Sequence, residues 1–545
     1  MLKPGSGREF TVANLRDVPG QGMITVEAGE TKILLVRQDG ELSALGAHCP
    51  HYGAPLKDGT LHEGCITCPW HRSAFDASSG DLVEPPSLDA LPRFDCCVDD
   101  ATGDVVVIVP EKAPSRRVPA MATAAPELDE RTFVIIGGGG AGSAAAEMLR
   151  TQGFRGHIVM LTGDQADLPY DRPSCSKAYL RGESSDEKMP LRRSDFYKRY
   201  GIEQRSEKAA MIDVPNRSIQ LTSGEIIEPD AMLLATGGTP NTLETGGVWL
   251  EGVYTLRTWD DSRRIREAAG SARTAVLIGA SFIAMETAVA LREHDVEVTV
   301  IAPESEPFAD TFGPEIARFL RERHESQGVK FRLGKTARQF VGQERLQEIE
   351  LDDGTRLEAD VAILGIGIRP ATKVIKGANL HEDGSIEVDQ YLQVREGVFA
   401  AGDIARYPEP HLNEPVRIEH WRLAQQQGRV AAQNMLGHQQ PFRKVPFFWT
   451  RHYDLSIGYA GHARSWDETI LAGSIADEAF TVYFVRDDRL IAAAGTQINE
   501  LTALSELMQE GALPEPRDLS TEDPNQLERV LLHAGSDVAA GAGRR

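Results

Sequence analysis

Cysteine is scarce in this chain, with six among 545 residues: Cys49, Cys65, Cys68, Cys96, Cys97 and Cys175. Cys96 and Cys97 are adjacent, so on a strand they point to opposite faces and are poorly placed to bridge each other. No disulfide framework is implied, which fits a reducing compartment and a cytoplasmic location. Long apolar runs are missing too. None reaches the roughly eighteen residues of a membrane span, and the opening MLKPGSGREF lacks the apolar core of a secretory signal. Cations are in deficit, with 58 Lys and Arg against 81 Asp and Glu and a formal charge of −23. That balance argues against nucleic acid or an anionic membrane as a partner. It suits a partner protein with a basic face, although an acidic surface is also common among soluble enzymes.

The length leaves room for three or four domains. Residues 8 to about 110 alternate β-rich runs such as TKILLVRQ and DVVVIVP with Gly, Asp and Pro turns, the pattern of a small all-β domain. Residues 111–130, EKAPSRRVPAMATAAPELDE, are rich in Ala and Pro without an apolar period and read as a linker, extended and at most weakly packed. At about 3.1 Å per residue the linker reaches roughly 60 Å, enough for the first domain to dock on the rest and swing away. From Arg131 strands and helices alternate, which implies parallel sheets. A second strand-to-glycine-loop signal begins near Thr274. From Phe442 strands (FTVYFVRDDRLIAAAG) are followed by a helix (NELTALSELMQEG), and the tail from about Thr521 is expected to be loose.

Two loops in the first domain carry metal-binding chemistry: CPHYGAPL from Cys49 and CPWHRSAFD from Cys68. Cys49 and Cys68 supply two thiolates for one iron, and His51 and His71 two imidazoles for a second, which is what a Rieske [2Fe–2S] centre needs. Both loops resemble Rieske ferredoxin loops. Cys65-x-x-Cys68 also has zinc-knuckle spacing, but a zinc site would strand the two histidines. Ser73 is placed to hydrogen-bond a cluster sulfur. Phe75 stands where high-potential Rieske proteins carry a hydroxylated Tyr, which points to a centre of low to intermediate potential.

RTFVIIGGGGAGSAAAEMLR sets an apolar strand before Gly137-x-Gly139-x-x-Gly142 and an Ala-rich helix. The glycines allow a tight turn, close approach to a pyrophosphate and close helix–strand packing. Asp164, after the next strand, is placed to bind a ribose hydroxyl or to serve as an ordinary turn residue. TAVLIGASFIAMETAVALR repeats the design with Gly279, but Ser281 and Ala284 stand where glycines are usual. After its second strand, VTVIAPESEP puts Ala302 at the common acidic position and Glu304 two residues on, with no Arg or Lys nearby. NADH is favoured over NADPH.

The stretches LPYDRPSCSK, MLLATGGTP, YTLRTWDD, LGIGIRPAT, VFAAGDIA, EHWRLAQQQGR and VPFFWT resemble the oxygenase-coupled NADH-dependent ferredoxin reductases. The N-terminal Rieske fusion resembles the apoptosis-inducing-factor-like branch, and the likeness covers residues 8 to about 520. It implies a multidomain fold. A Rieske domain (1–110) and the linker (111–130) lead into a discontinuous FAD-binding domain (131–258 and 378–441). An NAD(P)H-binding domain (259–377) is inserted in it, and a C-terminal α+β reductase domain (442–520) and a tail (521–545) follow. The two middle domains are α/β and Rossmann-like. The resemblance implies FAD contacts from the Gly137–Gly142 loop, Asp164, Arg172, Lys177, Ala209, Thr236, Arg257, Asp403, Trp421 and Trp449. It places Lys177 and Glu286 near the reacting ends of flavin and nicotinamide, and Gly279, Ser281 and Gly367 along NADH. Cys175 stands where this family usually has an apolar residue.

These parts make a two-electron to one-electron converter, passing electrons from NADH through FAD to the fused cluster. The final acceptor is a redox protein such as an oxygenase or a haem mono-oxygenase; oligomeric state is not legible. One rival is a thiol–disulfide or peroxide reductase using Cys175, which lacks a second Cys to pair with. Another is a signalling or interaction protein of the apoptosis-inducing-factor type.

Overall fold

Valines at every second position of Asp104–Pro110 bury one face of that strand, with Val105, Val107 and Val109 at most 5% exposed. In a computed structural model, which describes residues 7–163, 168–412 and 414–531, this strand belongs to an antiparallel sheet. The strand order is Gly7–Asn14, Asp104–Pro110, Arg93–Val98, Glu41–Gly46, Thr31–Gln38 and Gly22–Ala28. A smaller antiparallel sheet of Thr60–His62, Cys65–Thr67, Ala74–Asp76 and Leu82–Glu84 carries the second metal loop between its middle strands. Cys96 packs toward the apolar core and Cys97 is exposed, as alternation along a strand requires.

Residues 111–130 are extended, but the expectation of weak packing is corrected. Arg117 exchanges backbone hydrogen bonds with Ala90 (2.8 and 2.9 Å), and its guanidinium reaches Asp81 at 2.7 Å. Further on, Ala122 and Ala125 donate to the carbonyls of Arg150 and Arg155, both at 2.8 Å. An extended backbone keeps its polar groups unsatisfied unless neighbours take them, and here both flanking domains do.

The next sheet has the order Ile202–Arg205, His157–Leu161, Thr132–Ile136, Ala231–Leu234, Val398–Ala400 and Gln393–Arg395, parallel except for the last pair. Thr132–Ile136 (TFVII) is buried on both faces, which is why it reads as a continuous apolar run. Helices Gly140–Thr151 and Trp421–Met435 pack together so closely that a Cβ on Gly428 would lie 2.0 Å from the Ala141 carbonyl oxygen. A second parallel sheet runs Val253–Thr255, Val361–Leu364, Thr274–Ile278, Glu297–Ala302 and Lys330–Leu333, with helix Phe282–Glu293 following its central strand.

The chain ends in a five-stranded antiparallel sheet, Phe447–His452, Leu455–Gly461, Arg489–Gly495, Ala479–Arg486 and Glu468–Ser474, backed by helix Ile498–Glu510. The tail is not loose over its first ten residues or so. Leu527 and Leu531 are at most 1% exposed, and the buried Glu500 carboxylate accepts the amides of Leu527 and Glu528, each at 2.8 Å. No helix among the described residues is long and apolar enough to cross a membrane.

Candidate redox site

Cys49 and His51 lie on the loop after Glu41–Gly46, and Cys68 and His71 on the loop after Cys65–Thr67. Short backbone bonds close both loops: the Cys49 amide to Ala54 (2.9 Å) and the Cys68 amide to Ser73 (2.8 Å). The two thiols are buried and hydrogen-bond each other, which above all holds Cys68 below the ordinary thiol range and pushes Cys49 up. The buried Ser73 hydroxyl also bonds Cys49 and is itself fixed by the Ser87 amide at 2.9 Å. His51 Nδ1 and His71 Nδ1 face each other at 3.2 Å. Burial pushes both imidazoles down, His71 to about 3 with help from Lys177 and Arg451. The neutral imidazole that results is the form that binds metal.

The four donors therefore form a thiol pair and an imidazole pair. Among the described residues they do not converge within 4.8 Å as three or more ligands of one ion do; His62, Glu63 and Glu510 are the group that does. A two-iron cluster with thiolates at one iron and imidazoles at the other fits this arrangement, and a single tetrahedral zinc does not. Cys65 sits on a strand opposite Asp76, off the ligand loops.

A cavity of about 1160 Å³ opens between the two parallel sheets and the C-terminal domain. Gly137, Gly139, Arg172 and Lys177 line it, as do Ala209, Thr236, Arg257 and Asp403. Trp421, Trp449, Ser281, Glu286 and Gly367 are also in the wall. A Cβ on Gly137 (φ +120°) would lie 2.1 Å from the Ala235 oxygen, whereas one on Gly139 would meet nothing within 4 Å. Gly142 and Gly279 are packing residues behind the wall. Helix Gly140–Thr151 has no side-chain cap, so its first amides remain for a phosphate. Thr236 Oγ1 and His420 Nδ1, both buried and on residues lining the cavity, have no hydrogen-bond partner among the described residues. Orphaned polar atoms in a cavity of this size fit a bound dinucleotide. Asp164 lies outside the described residues.

Two expectations change at the coenzyme end. Glu304 is exposed and does not line the cavity. Two cations do stand near its strand, brought there by later parts of the chain: the Lys335 amide bonds Ala302 at 3.1 Å, and Arg321 bonds Glu306 at 2.7 Å. Both are engaged, Lys335 with Asp353 at 2.8 Å and Arg321 also with Glu325 at 2.8 Å.

Glu286, on helix Phe282–Glu293 and 3% exposed, accepts three hydrogen bonds in the wall. Lys177 Nζ and Ser176 Oγ each donate to Oε2 at 2.7 Å, and Thr450 Oγ1 donates to Oε1 at 3.0 Å. Cys175 lies beside Ser176 in sequence but packs with Tyr170, Tyr179 and Met189 away from the cavity.

The first domain docks over this cavity. His71 lies 4.5 Å, centroid to centroid, from Trp449, which lines the cavity wall. Buried Arg72 donates to Ser505 Oγ at 2.8 Å and Glu506 at 3.2 Å, and lies 4.7 Å over the Phe447 ring. Arg422 donates to the carbonyls of Pro85 (3.0 Å) and Arg72 (3.1 Å), and Lys444 pairs with Glu84 at 2.8 Å. Stripping partners from a buried charge costs on the order of 3–5 kcal/mol, so these contacts oppose the swinging that the linker's reach suggested. The motifs EHWRLAQQQGR and VPFFWT contained His420, Arg422 and Thr450, but nothing in their spacing singled those residues out.

Comparison with known proteins agrees with this geometry. Residues 131–428 match the pyridine nucleotide-disulphide oxidoreductase model, residues 8–95 the Rieske [2Fe-2S] domain and residues 447–530 the reductase C-terminal domain. Apoptosis-inducing factor 3 of Mus musculus is 36% identical over 537 residues, 96% of this chain and 87% of that protein. The ferredoxin reductase component of chlorobenzene dioxygenase from Cupriavidus sp. (strain PS12) is 33% identical over 74% of this chain and 98% of its own. The structure of a covalent putidaredoxin reductase–putidaredoxin complex superposes with a TM-score of 0.70 at 27% identity, covering 74% of this chain and 99% of that one.

Proposed function

The chain belongs to the pyridine nucleotide-disulphide oxidoreductase family, with a Rieske domain fused ahead of it, and from that premise we propose how its residues divide the work. It is an NAD(P)H-dependent oxidoreductase that uses FAD and a Rieske [2Fe–2S] cluster and transfers electrons to a redox partner. FAD, when bound, supplies the exchange between hydride transfer and single-electron transfer.

The protein's part is positioning and tuning. The amides at the start of helix Gly140–Thr151 receive the pyrophosphate, Thr236 and His420 find partners on the cofactor, and the Arg257–Asp403 pair (2.7 Å) fixes the wall between them. Lys177 and Glu286 orient the reacting ends of flavin and nicotinamide. Cys49, His51, Cys68 and His71 hold the cluster, and the Ser73 hydroxyl on Cys49 withdraws charge from the sulfur and raises the potential. NADH is the preferred coenzyme because Lys335 and Arg321 are occupied by carboxylates. The acceptor is an oxygenase component, a haem mono-oxygenase or another one-electron carrier in the cytoplasm.

The contact between His71 and Trp449 is the observation that carries this reading, since it joins a cluster donor to the cavity wall. Rapid mixing with NADH should show flavin reduction first and cluster reduction second, at a rate independent of protein concentration. Cluster reduction that speeds up in proportion to concentration would mean transfer between chains and would remove the fused relay. The external acceptor is the protein that becomes reduced when NADH and this chain are added to a cell extract.

A further inference from the structure

Away from the redox site, one further group of side chains has the donor set of a metal centre, and it straddles the dock. His62 ends strand Thr60–His62, Glu63 follows it at the tip of the hairpin, and Glu510 ends helix Ile498–Glu510 of the C-terminal domain. One ligand atom from each lies within 4.8 Å of the other two. The closest pair, His62 Nε2 and Glu510 Oε1, meets at 2.7 Å across 448 positions.

Local sequence brings the hairpin and the helix end to this point. Glu63 and Gly64, with φ of +43° and +76°, make the tight turn that pairs His62 with Cys65. Gly511, left-handed at φ +68°, stops the helix directly after Glu510. The protein's own charges do not balance there. A carboxylate in the last turn of a helix faces the negative end of the helix dipole. Among the described residues Glu63 has no hydrogen bond or ion pair, and Glu510 has His62 alone. An imidazole brings at most one positive charge to two carboxylates and a helix end, whereas a divalent cation brings two.

We propose that His62, Glu63 and Glu510 bind a divalent transition cation, Zn²⁺ above all, which fastens the Rieske domain to the C-terminal helix. One imidazole nitrogen and two carboxylate oxygens, with water in the fourth position, suit tetrahedral zinc. Bonds of about 2.0–2.2 Å at tetrahedral angles set ligand atoms roughly 3.3–3.5 Å apart. That spacing falls between the 2.7 Å pair and the 4.8 Å limit, so small side-chain rotations reach it. Mg²⁺ and Ca²⁺, which take oxygen ligands, gain nothing from the imidazole. The hairpin's second strand, Cys65–Thr67, runs straight into Cys68, and the helix carries the Ser505 and Glu506 that hold Arg72. The site is therefore complete only while the dock is closed. By linkage, the cation favours the closed dock by the same factor that closure favours the cation.

The site does not depend on the electron-transfer reading and is tested without turnover. Oxidised holoenzyme, whose flavin and two-iron cluster give no EPR signal, is cleared of loose metal with a chelator and titrated with Mn²⁺. Loss of the free-ion signal reports binding, and Zn²⁺ or Mg²⁺ is then added as competitor. About one Mn²⁺ should bind per chain, and Zn²⁺ should displace it at a concentration at least about tenfold below that of Mg²⁺. His62→Ala, Glu63→Gln and Glu510→Gln should each weaken binding by at least about tenfold, and Glu515→Gln, at an exposed carboxylate just past the helix, should stay within about twofold of the parent. Glu510→Gln is isosteric and exposed, so it separates charge from packing. Zn²⁺ should also slow amide hydrogen exchange in residues 60–67 and 505–511 of the parent, and leave both segments unchanged in Glu510→Gln. Displacement by Mg²⁺ as readily as by Zn²⁺, or equal weakening by Glu515→Gln, means an adventitious ion only and overturns the site. Unchanged affinity in Glu510→Gln, or slowed exchange in the hairpin alone, overturns the link between the domains.

Discussion

The two dinucleotide loops solve one steric problem in opposite ways. In the first, a Cβ on Gly142, in the first turn of the helix, would lie 1.8 Å from the Gly137 oxygen, and the Ala235 carbonyl just past the neighbouring strand crowds Gly137 in turn. In the second, Ala284 occupies the helix and the glycine has moved across the gap to Gly365, where a Cβ would lie 2.6 Å from the Ala284 methyl. The first helix thus gives up its methyl to let the loop's own backbone approach, whereas the second keeps the Ala284 methyl and has a glycine facing it. Ser281 adds something the first loop lacks, since its hydroxyl caps the helix by accepting the Ala284 amide at 3.3 Å. A departure from the glycine pattern is thus a rearranged contact, and the loss of two glycines says little against the site.

Gly142→Ala tests the tighter gap and should have the largest effect, because the clash is with backbone. Flavin content should drop severely and the unfolding transition should fall, a cost on the order of 3 kcal/mol; full flavin occupancy at an unchanged Tm would show the loop has slack. Gly365→Ala should keep flavin but raise the KM for NADH about tenfold. Adding Ala284→Gly should recover much of that, with a coupling of roughly 0.5–3 kcal/mol. Simple additivity in this cycle would end the idea that the Ala284 methyl needs a glycine facing it. Ser281→Ala removes a cap worth about 1 kcal/mol, and a several-fold rise in KM without loss of flavin is expected.

Coenzyme choice is a smaller matter of the same second loop. NADH should exceed NADPH in kcat/KM, and Asp353→Asn, which releases Lys335, should narrow the gap a few-fold; equal use of both by the parent would refute the preference. Smallest of all, Cys175→Ser should leave NADH–dye reductase activity within a few-fold. A hundredfold loss, about 2.7 kcal/mol of transition-state stabilisation, would instead favour a thiol mechanism.

What could be read from the chain alone follows from where each interaction is written. The metal loops and the first glycine loop are local, so Cys49, His51, Cys68, His71 and Gly137 declare their chemistry within a few neighbours. The carboxylate environment of Glu286 is assembled from Lys177, 109 positions before it, and Thr450, 164 after. No periodicity reports such a meeting. Lys335 escaped notice for the same reason, arriving beside Ala302 on a later strand connection. The linker looked slack because Ala and Pro carry little side-chain information, while its fastening is done by backbone amides that every sequence has.

The bond from Arg72 to Ser505 spans 433 positions and has a consequence for the order of events at birth. The Rieske domain is made first. At roughly 5–20 residues per second, it waits on the order of twenty to ninety seconds before its dock exists. Through that interval no Trp449 covers His71, while Cys49 and Cys68 are packed by the domain's own core. The imidazole pair is therefore covered last, when the C-terminal domain arrives to bring Trp449 against His71.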